Sequence, residues 1–319
     1  MKIEILGSES LGVRGLSCYL ETHDRRIVID PGVALGYRRN NLLPHPFQVA
    51  VGDNVRQNII SALKNCTDIV MSHFHGDHVP LPNANPFQVS AQKVSACFQR
   101  PKLWCQCTHD LSPAMAKRRQ SLSRIFKRQM DCSEGQTDGL LSFSHSMPHG
   151  ETDSPLGEVM MTRVAAEAGV FVHASDIQLL DDSPIEQILA WKPSVVLASG
   201  PALYLRRLSP GKLKKAFARA LILAKHVPEL ILDHHMLRSD KGFHWLEDLS
   251  NSSGHQVYCA ADYMKRKRIP LESWRQRLYQ EMPVPEGWHK AYAQGKTDTA
   301  RYRRWRDIDV SRTSSRKKT

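Results

Sequence analysis

The segment IVMSHFHGDHVPLP, residues 69–82, sets His73, His75, Asp77 and His78 within six positions directly behind an apolar run. Titratable groups packed this densely at a strand-to-turn junction are costly unless something binds them. Neutral imidazole and carboxylate are the usual protein ligands of zinc, and catalytic zinc sites keep one position open for water. In an extended turn His73 and His75, two residues apart, project to one side, while Asp77 and His78 face a neighbouring point. The spacing H-x-H-x-D-H therefore suits two metal ions better than one. A fold for this chain must bring these side chains and their partners to one place.

The surrounding pattern shows how. KIEIL, LSCYLET and RRIVIDPG read as strands, the last closed by Pro-Gly. DNVRQNIISALKN places Val55, Ile59, Ile60 and Leu63 at helical spacing, and DIVMSH is the strand that delivers the histidines. Residues 80–140 are punctuated by prolines and read as an irregular basic insertion with a helix over 112–130. Regular elements resume with LLSFSHSM and with two strands joined around Glu167–Gly169. Helices at SPIEQILAWK, PGKLKKAFARALILAKH and GFHWLEDLSNSSG then alternate with strands at PSVVLASGP, ELILDHH and QVYCAADYM. The chain divides into a domain of residues 1–264 and a basic helical extension, 265–319, whose end reads as disordered.

Charge and cysteine content narrow the setting. From Tyr263 to Thr319 there are 16 Lys and Arg against six Asp and Glu, and the remaining residues carry only +2 of the net +12. The block Lys117–Arg128 has six cations and no acid. Such asymmetry fits either a nucleic acid or other polyanion partner or a solvated helix face with a soluble tail. No run approaches the ~18 apolar residues of a membrane span, and an odd count of seven cysteines favours a reduced, cytoplasmic chain.

The histidine turn resembles the H-x-H-x-D-H signature of metallo-β-lactamase-fold hydrolases, and the other motifs of that superfamily follow in order. Asp30 in VIDPG matches the strand-end aspartate that supports the metal turn. His145 in SHSMPHG matches the third motif, with His149 as its competitor. Asp176 in VHASD resembles the metal-bridging aspartate of ribonuclease J-like members, although the β-CASP insertion of those enzymes is missing. His234 in LILDHH matches the last histidine, with His235 competing. Segments such as IDPGVALGYRRNNLLPHP and MPVPEGW further resemble an archaeal family within the superfamily. That resemblance implies fold and metal chemistry and names no substrate.

The resemblance implies an α/β fold, a four-layer αβ/βα sandwich, holding two divalent ions, zinc by preference. It implies the ligand set His73, His75, Asp77, His78, His145, Asp176 and His234. A hydroxide shared by the ions would attack the substrate, with Asp77 orienting it and His173 as an outer partner. His149, His235 and Tyr204 are candidates for the leaving-group acid. The basic blocks favour phosphodiester or nucleic-acid substrates. A small ester, thioester or lactone, or a nucleic-acid-binding role without turnover, are the alternatives.

Other features are less decisive. Cys97, Cys105, Cys107, His109 and Cys132 suit free thiols better than a structural zinc, because C-x-C is not the usual zinc spacing. SGPALYLRR sets Ser199, Gly200 and Tyr204 near a sheet edge, with Arg206 and Arg207 either holding a phosphate or simply solvated. In ARYRRWRD, Tyr302 and Trp305 could stack on single-stranded nucleic acid or dock on the core.

Overall fold

A computed structural model describes residues 1–302 apart from 36, 37, 110, 153, 206 and 207. Trp305, Arg206, Arg207 and the Ser/Lys/Arg-rich end therefore lie outside the described residues. Five strands form the first sheet: β1 (Lys2–Gly7), β2 (Ser17–Glu21), β3 (Arg26–Ile29), β4 (Asp68–Met71) and β5 (Lys102–Cys105), in that spatial order. The first three pair antiparallel, and β3, β4 and β5 run parallel. Residues 80–140 are thus not wholly an insertion, since Lys102–Cys105 is an edge strand of this sheet. The second sheet contains β6 (Thr137–Asp138), β7 (Leu141–Pro148), β8 (Glu158–Ala166), β9 (Gly169–Ser175), β10 (Val195–Ala198), β11 (Glu229–Leu232) and β12 (Val257–Tyr258), neighbours in sequence lying side by side. It is antiparallel from β6 to β9 and parallel from β9 to β12.

Period-two alternation assigns the layers. Ile5, Ile27, Ile29 and Val70 face the second sheet, together with Leu141, Phe143 and Phe171. Leu6, Val28, Ile69 and Met71 face outward onto helices. Those helices are α1 (Pro46–Lys64) and α3 (Pro113–Phe126), with the short α2 (Ala91–Val94) between them in sequence. The outer face of the second sheet is covered through α4 (Ser183–Ala190), α5 (Pro210–His226) and α6 (Lys241–Ser253). The result is the expected four-layer αβ/βα sandwich.

Two departures from the sequence reading have clear causes. Helix α1 starts at Pro46, seven residues before the periodic stretch, because Pro46–Gly52 is buried on every side and shows no amphipathic period. After α7 (Ala260–Tyr263), the extension is no independent appendage. Ile269, then Leu271 and Leu278 of α8 (Leu271–Glu281), Trp288 of α9 (Trp288–Ala293), and Tyr302 all join the core that α1 builds on the first sheet. Tyr302 is buried edge-on against His45 and Trp288, so it docks and presents no stacking face.

The start of α1 also yields a pH prediction. His45 caps the helix: its Nδ1 accepts from the Phe47 N–H at 3.1 Å, and its Nε2 donates to the Met282 carbonyl at 2.8 Å. Burial disfavours the imidazolium and, against the Met282 bond, brings the pKa down to about 4. The folded pKa lies below the unfolded value near 6.5, so the unfolded chain binds more protons between the two. Stability is therefore complete above pH ~6.5 and falls as pH drops toward 4, by on the order of 2–3 kcal/mol. Urea denaturation at pH 7 and pH 5 should show that His45→Asn, which keeps a cap without titrating, loses less on acidification than the parent chain.

Candidate metal centre

The site forms where strands end. Asp30 follows β3, Ser72 and His73 follow β4, His149 follows β7, Asp176 follows β9, and Asp233 to His235 follow β11. Parallel strands collect function at their C-terminal ends in this way. Three non-glycine residues there adopt left-handed backbone: Asp30 (φ 50°), Ser175 (φ 52°) and His234 (φ 39°). Each such residue costs on the order of 1–2 kcal/mol, and strain of this kind gathers at functional sites. In the Asp-Pro-Gly turn only glycine fits at position 32, because a Cβ there would lie 2.3 Å from the His78 and Val79 backbone. Met160 N–H donates to the Ser72 carbonyl at 2.9 Å, tying the second sheet to the turn.

Asp176 is at the centre. Its Oδ2 lies 3.0 Å from His149 Nε2, 3.1 Å from His235 Nε2 and 3.5 Å from His73 Nε2. Its Oδ1 lies 3.2 Å from His78 Nε2 and 3.3 Å from His234 Nε2. Ligand atoms of His73, His75, His149 and Asp176 lie within 4.8 Å of one another, as do those of Asp77, His78 and His234.

Outer partners aim the rings. Asp30 accepts from the Ser72 N–H (2.8 Å) and hydroxyl (2.7 Å) and from His78 Nδ1 (2.9 Å), which turns His78 Nε2 toward the cluster. His234 Nδ1 donates to Glu9 at 2.6 Å. Arg238 also holds Glu9, at 2.6 Å, and its Nη2 donates to Asp77 at 3.2 Å. Arg14 Nε donates to the same Asp77 oxygen at 3.1 Å. Glu9, Ser72 and Arg238 were not legible as site residues, since Glu9 lies on a 3-10 turn 225 positions from its histidine.

The donor set fits a cation. His73 Nε2 and Asp176 Oδ1 are buried and complete no hydrogen bond, facing other ligand atoms only at ion-pair distance, which is costly for polar atoms in a core. Burial drives His75 down to about 2. It also lowers His73, His234 and His235, keeping these rings neutral as metal ligation requires. Burial opposes charge on Asp176 as well, but the neighbouring histidines, His78 foremost, outweigh it and hold the carboxyl well below its usual range. His78 is the exception: Asp176 and Asp30 overcome burial and raise it well above the usual value.

Several expectations change. His145 is exposed and rests against Gly135, outside the cluster, and His149 takes the place expected for it. The cause is a bulge in β7: Phe143 pairs with Thr162 but Ser146 with Met160, so an extra residue breaks the alternation that would have turned His145 inward. His149 thereby moves from acid candidate to ligand position. His173 does not reach the cavity. Its Nε2 donates to the Leu16 carbonyl at 2.9 Å, a structural task. Ser199 bonds the Ile177 carbonyl and Gly200 turns with φ 70°, while Tyr204 lines the cavity and accepts from Arg238 at 3.3 Å. Cys107 and Cys132 form a disulfide, against the expectation of free thiols, and Cys18, Cys66, Cys97, Cys105 and Cys259 are free. His109 and Glu134 lie beside Cys107. No described helix is long and apolar enough to cross a membrane.

No family model matches the chain. Among solved structures, an isothiocyanate hydrolase from Delia radicum gut bacteria is similar over 81% of this chain and 95% of its own, with TM-score 0.48 and 14% identity. A metal-dependent hydrolase of the β-lactamase superfamily is similar over 81% and 94%, with TM-score 0.49 and 11% identity. A UPF0282 protein of Methanosarcina mazei is 46% identical over 302 residues, 95% of this chain and 99% of the relative. UPF0282 proteins of Thermococcus sibiricus (30% identical; 91% and 100% covered) and Methanopyrus kandleri (31%; 87% and 99%) are also similar over nearly their whole lengths. The chain belongs to the UPF0282 family.

Proposed function

We propose that this chain is a dinuclear metal-dependent hydrolase of phosphodiester bonds. The observation that carries the reading is Asp176, which offers one carboxylate oxygen to each of two histidine groups. His73, His75, His149 and Asp176 would hold one ion, and Asp77, His78, His234 and Asp176 the other, with zinc favoured by the imidazole-rich donors. Such ions supply Lewis acidity that makes water nucleophilic near neutral pH and offset charge on phosphate oxygens. The chain's own residues do the rest. Asp30 and Glu9 fix which nitrogen of His78 and His234 faces inward. Arg14 and Arg238 orient Asp77.

The substrate space is a cavity of about 460 Å³ in which Arg14, Arg118 and Arg238 stand around the cluster. This size suits a small ligand, and the cations favour phosphate. Arg118, Arg119 and Arg128 of the basic block donate to the backbone carbonyls of Phe74, Met130 and Phe98, which ties the block to the fold. One observation favours a small neutral ester instead: Leu81, Met115, Leu156 and Leu205 line the same cavity.

The test is turnover by zinc-loaded full-length protein of bis-p-nitrophenyl phosphate, p-nitrophenyl acetate and single-stranded RNA. Phosphodiester cleavage that a chelator abolishes and zinc restores is expected. Ester cleavage alone would replace the phosphodiester reading. RNA affinity that falls log-linearly with salt would extend the substrate to nucleic acid, since counterion release dominates such binding.

A further inference from the structure

The segment Arg38-Arg39-Asn40-Asn41-Leu42 turns sharply. Asn40 and Asn41 both have left-handed backbone, φ 50° and 61°, which a two-residue reverse turn demands and asparagine tolerates. Arg39 and Leu42 close it with two backbone hydrogen bonds of 2.9 Å. The turn brings Arg38 and Arg39 beside Arg14, Tyr204, Arg238 and Glu272, and together they line a recess of about 410 Å³. Arg14, Tyr204 and Arg238 also line the metal cavity, so the two spaces share a wall. Asp77 is the junction, touched by both Arg14 and Arg238.

The charges in the recess do not balance. Four guanidiniums meet one carboxylate among the lining residues, and Glu272 is already engaged by Arg275 at 2.5 Å. Arg238 is matched by Glu9 and Asp77. Arg38 and Arg39 donate to the carbonyls of Asn41 (3.0 Å) and Arg238 (2.6 Å), neutral acceptors that leave their charge in place. Glu272 stands 3.8 Å from Arg39. Arg14 commits Nε to Asp77, and no described residue takes its two Nη groups. Guanidinium forks match phosphate oxygens with paired hydrogen bonds.

We infer that this recess is a second anion subsite, holding a phosphate group of the substrate while the scissile phosphodiester lies at the metal cluster. The inference rests on the phosphodiesterase reading of the adjoining cavity and narrows it to small phosphodiesters that carry a further phosphate. Arg14, Arg38 and Arg39 are then specificity residues.

The experiment is calorimetric titration of inorganic phosphate into the full-length protein, using the zinc-loaded chain, the same chain stripped by chelator, and His73→Ala/His149→Ala. Phosphate binding that survives in both metal-free forms is expected, with Kd raised about 10-fold or more by Arg38→Gln and further by Arg38→Gln/Arg39→Gln. Arg38 is exposed and bonds a single loop carbonyl, so its replacement leaves the fold intact, which the thermal melt checks. Binding that vanishes with the metal, or that the arginine variants leave unchanged, overturns the subsite, because phosphate then sits on the ions alone. Acetate competing as well as phosphate overturns the phosphate assignment. Survival of phosphate binding in a chain that hydrolyses no phosphodiester would reject the catalytic reading without touching the subsite.

Discussion

Asp176→Ala should release both metal ions at once and lower hydrolysis by roughly 10³-fold or more, beyond the 10–100-fold expected for losing only an outer hydrogen-bond partner of a ligand. The reason is geometric. Removing the carboxylate takes an oxygen from each histidine group and leaves five imidazoles facing a void without their shared counter-charge. Elemental analysis of zinc-loaded protein should fall from about two ions per chain to near none. His149→Ala should also lose metal, whereas His145→Ala, on an exposed side chain, should keep its full complement. Two ions retained by Asp176→Ala would show that the carboxylate bridges nothing. Metal lost from His145→Ala and kept by His149→Ala would reverse the assignment of these two histidines.

Arg275→Ala should destabilise the chain by about 3–5 kcal/mol, the range for removing one partner of a buried ion pair. Arg275 is 1% exposed, and burial already pulls its pKa down. It donates to Glu272 at 2.5 Å, to Gln48 at 3.0 Å and to the Leu42 carbonyl at 3.2 Å, pinning α8 to the start of α1. Its loss leaves Glu272 with only the Gln48 amide at 3.2 Å and the more distant Arg39 guanidinium at 3.8 Å. Arg275→Met/Glu272→Met should recover part of the loss, since an apolar pair carries no unpaired charge. Denaturant titration of the two variants decides. A loss under 1 kcal/mol for Arg275→Ala would mean that the extension contributes little to the fold.

Much of the site was legible because its signals are local. The histidine turn, the Asp-Pro-Gly after β3 and the order of Asp30, Asp176 and His234 along the chain need no knowledge of packing. His149 was placed second to His145, because choosing between them depends on one extra residue in β7, a bulge without a distinctive sequence mark. The cysteine pairing depends on a bridge that sets Cys132 beside Cys105 at the end of β5. Strand and helix order was readable from periodicity. It failed at Pro46–Gly52, where burial on all sides erases the period, and in the extension, where surface charge hid the buried faces of Leu278, Trp288 and Tyr302.

The docking of that extension has a meaning in time. Synthesis proceeds from the N-terminus, and domains fold as units while the chain is still emerging. Every metal-cluster residue, through His235, is made before Ile269 leaves the ribosome. Until residues 269–302 follow, the core around α1 lacks Ile269, Leu278 and Trp288, and Gln48 has no Glu272 to bond. The residues of the histidine cluster are thus all synthesised while the layer behind α1 is still open. Residues 269–302 end this exposed interval, and a ribosome stalled before them would hold a chain whose α1 still lacks the packing of Ile269, Leu278 and Trp288.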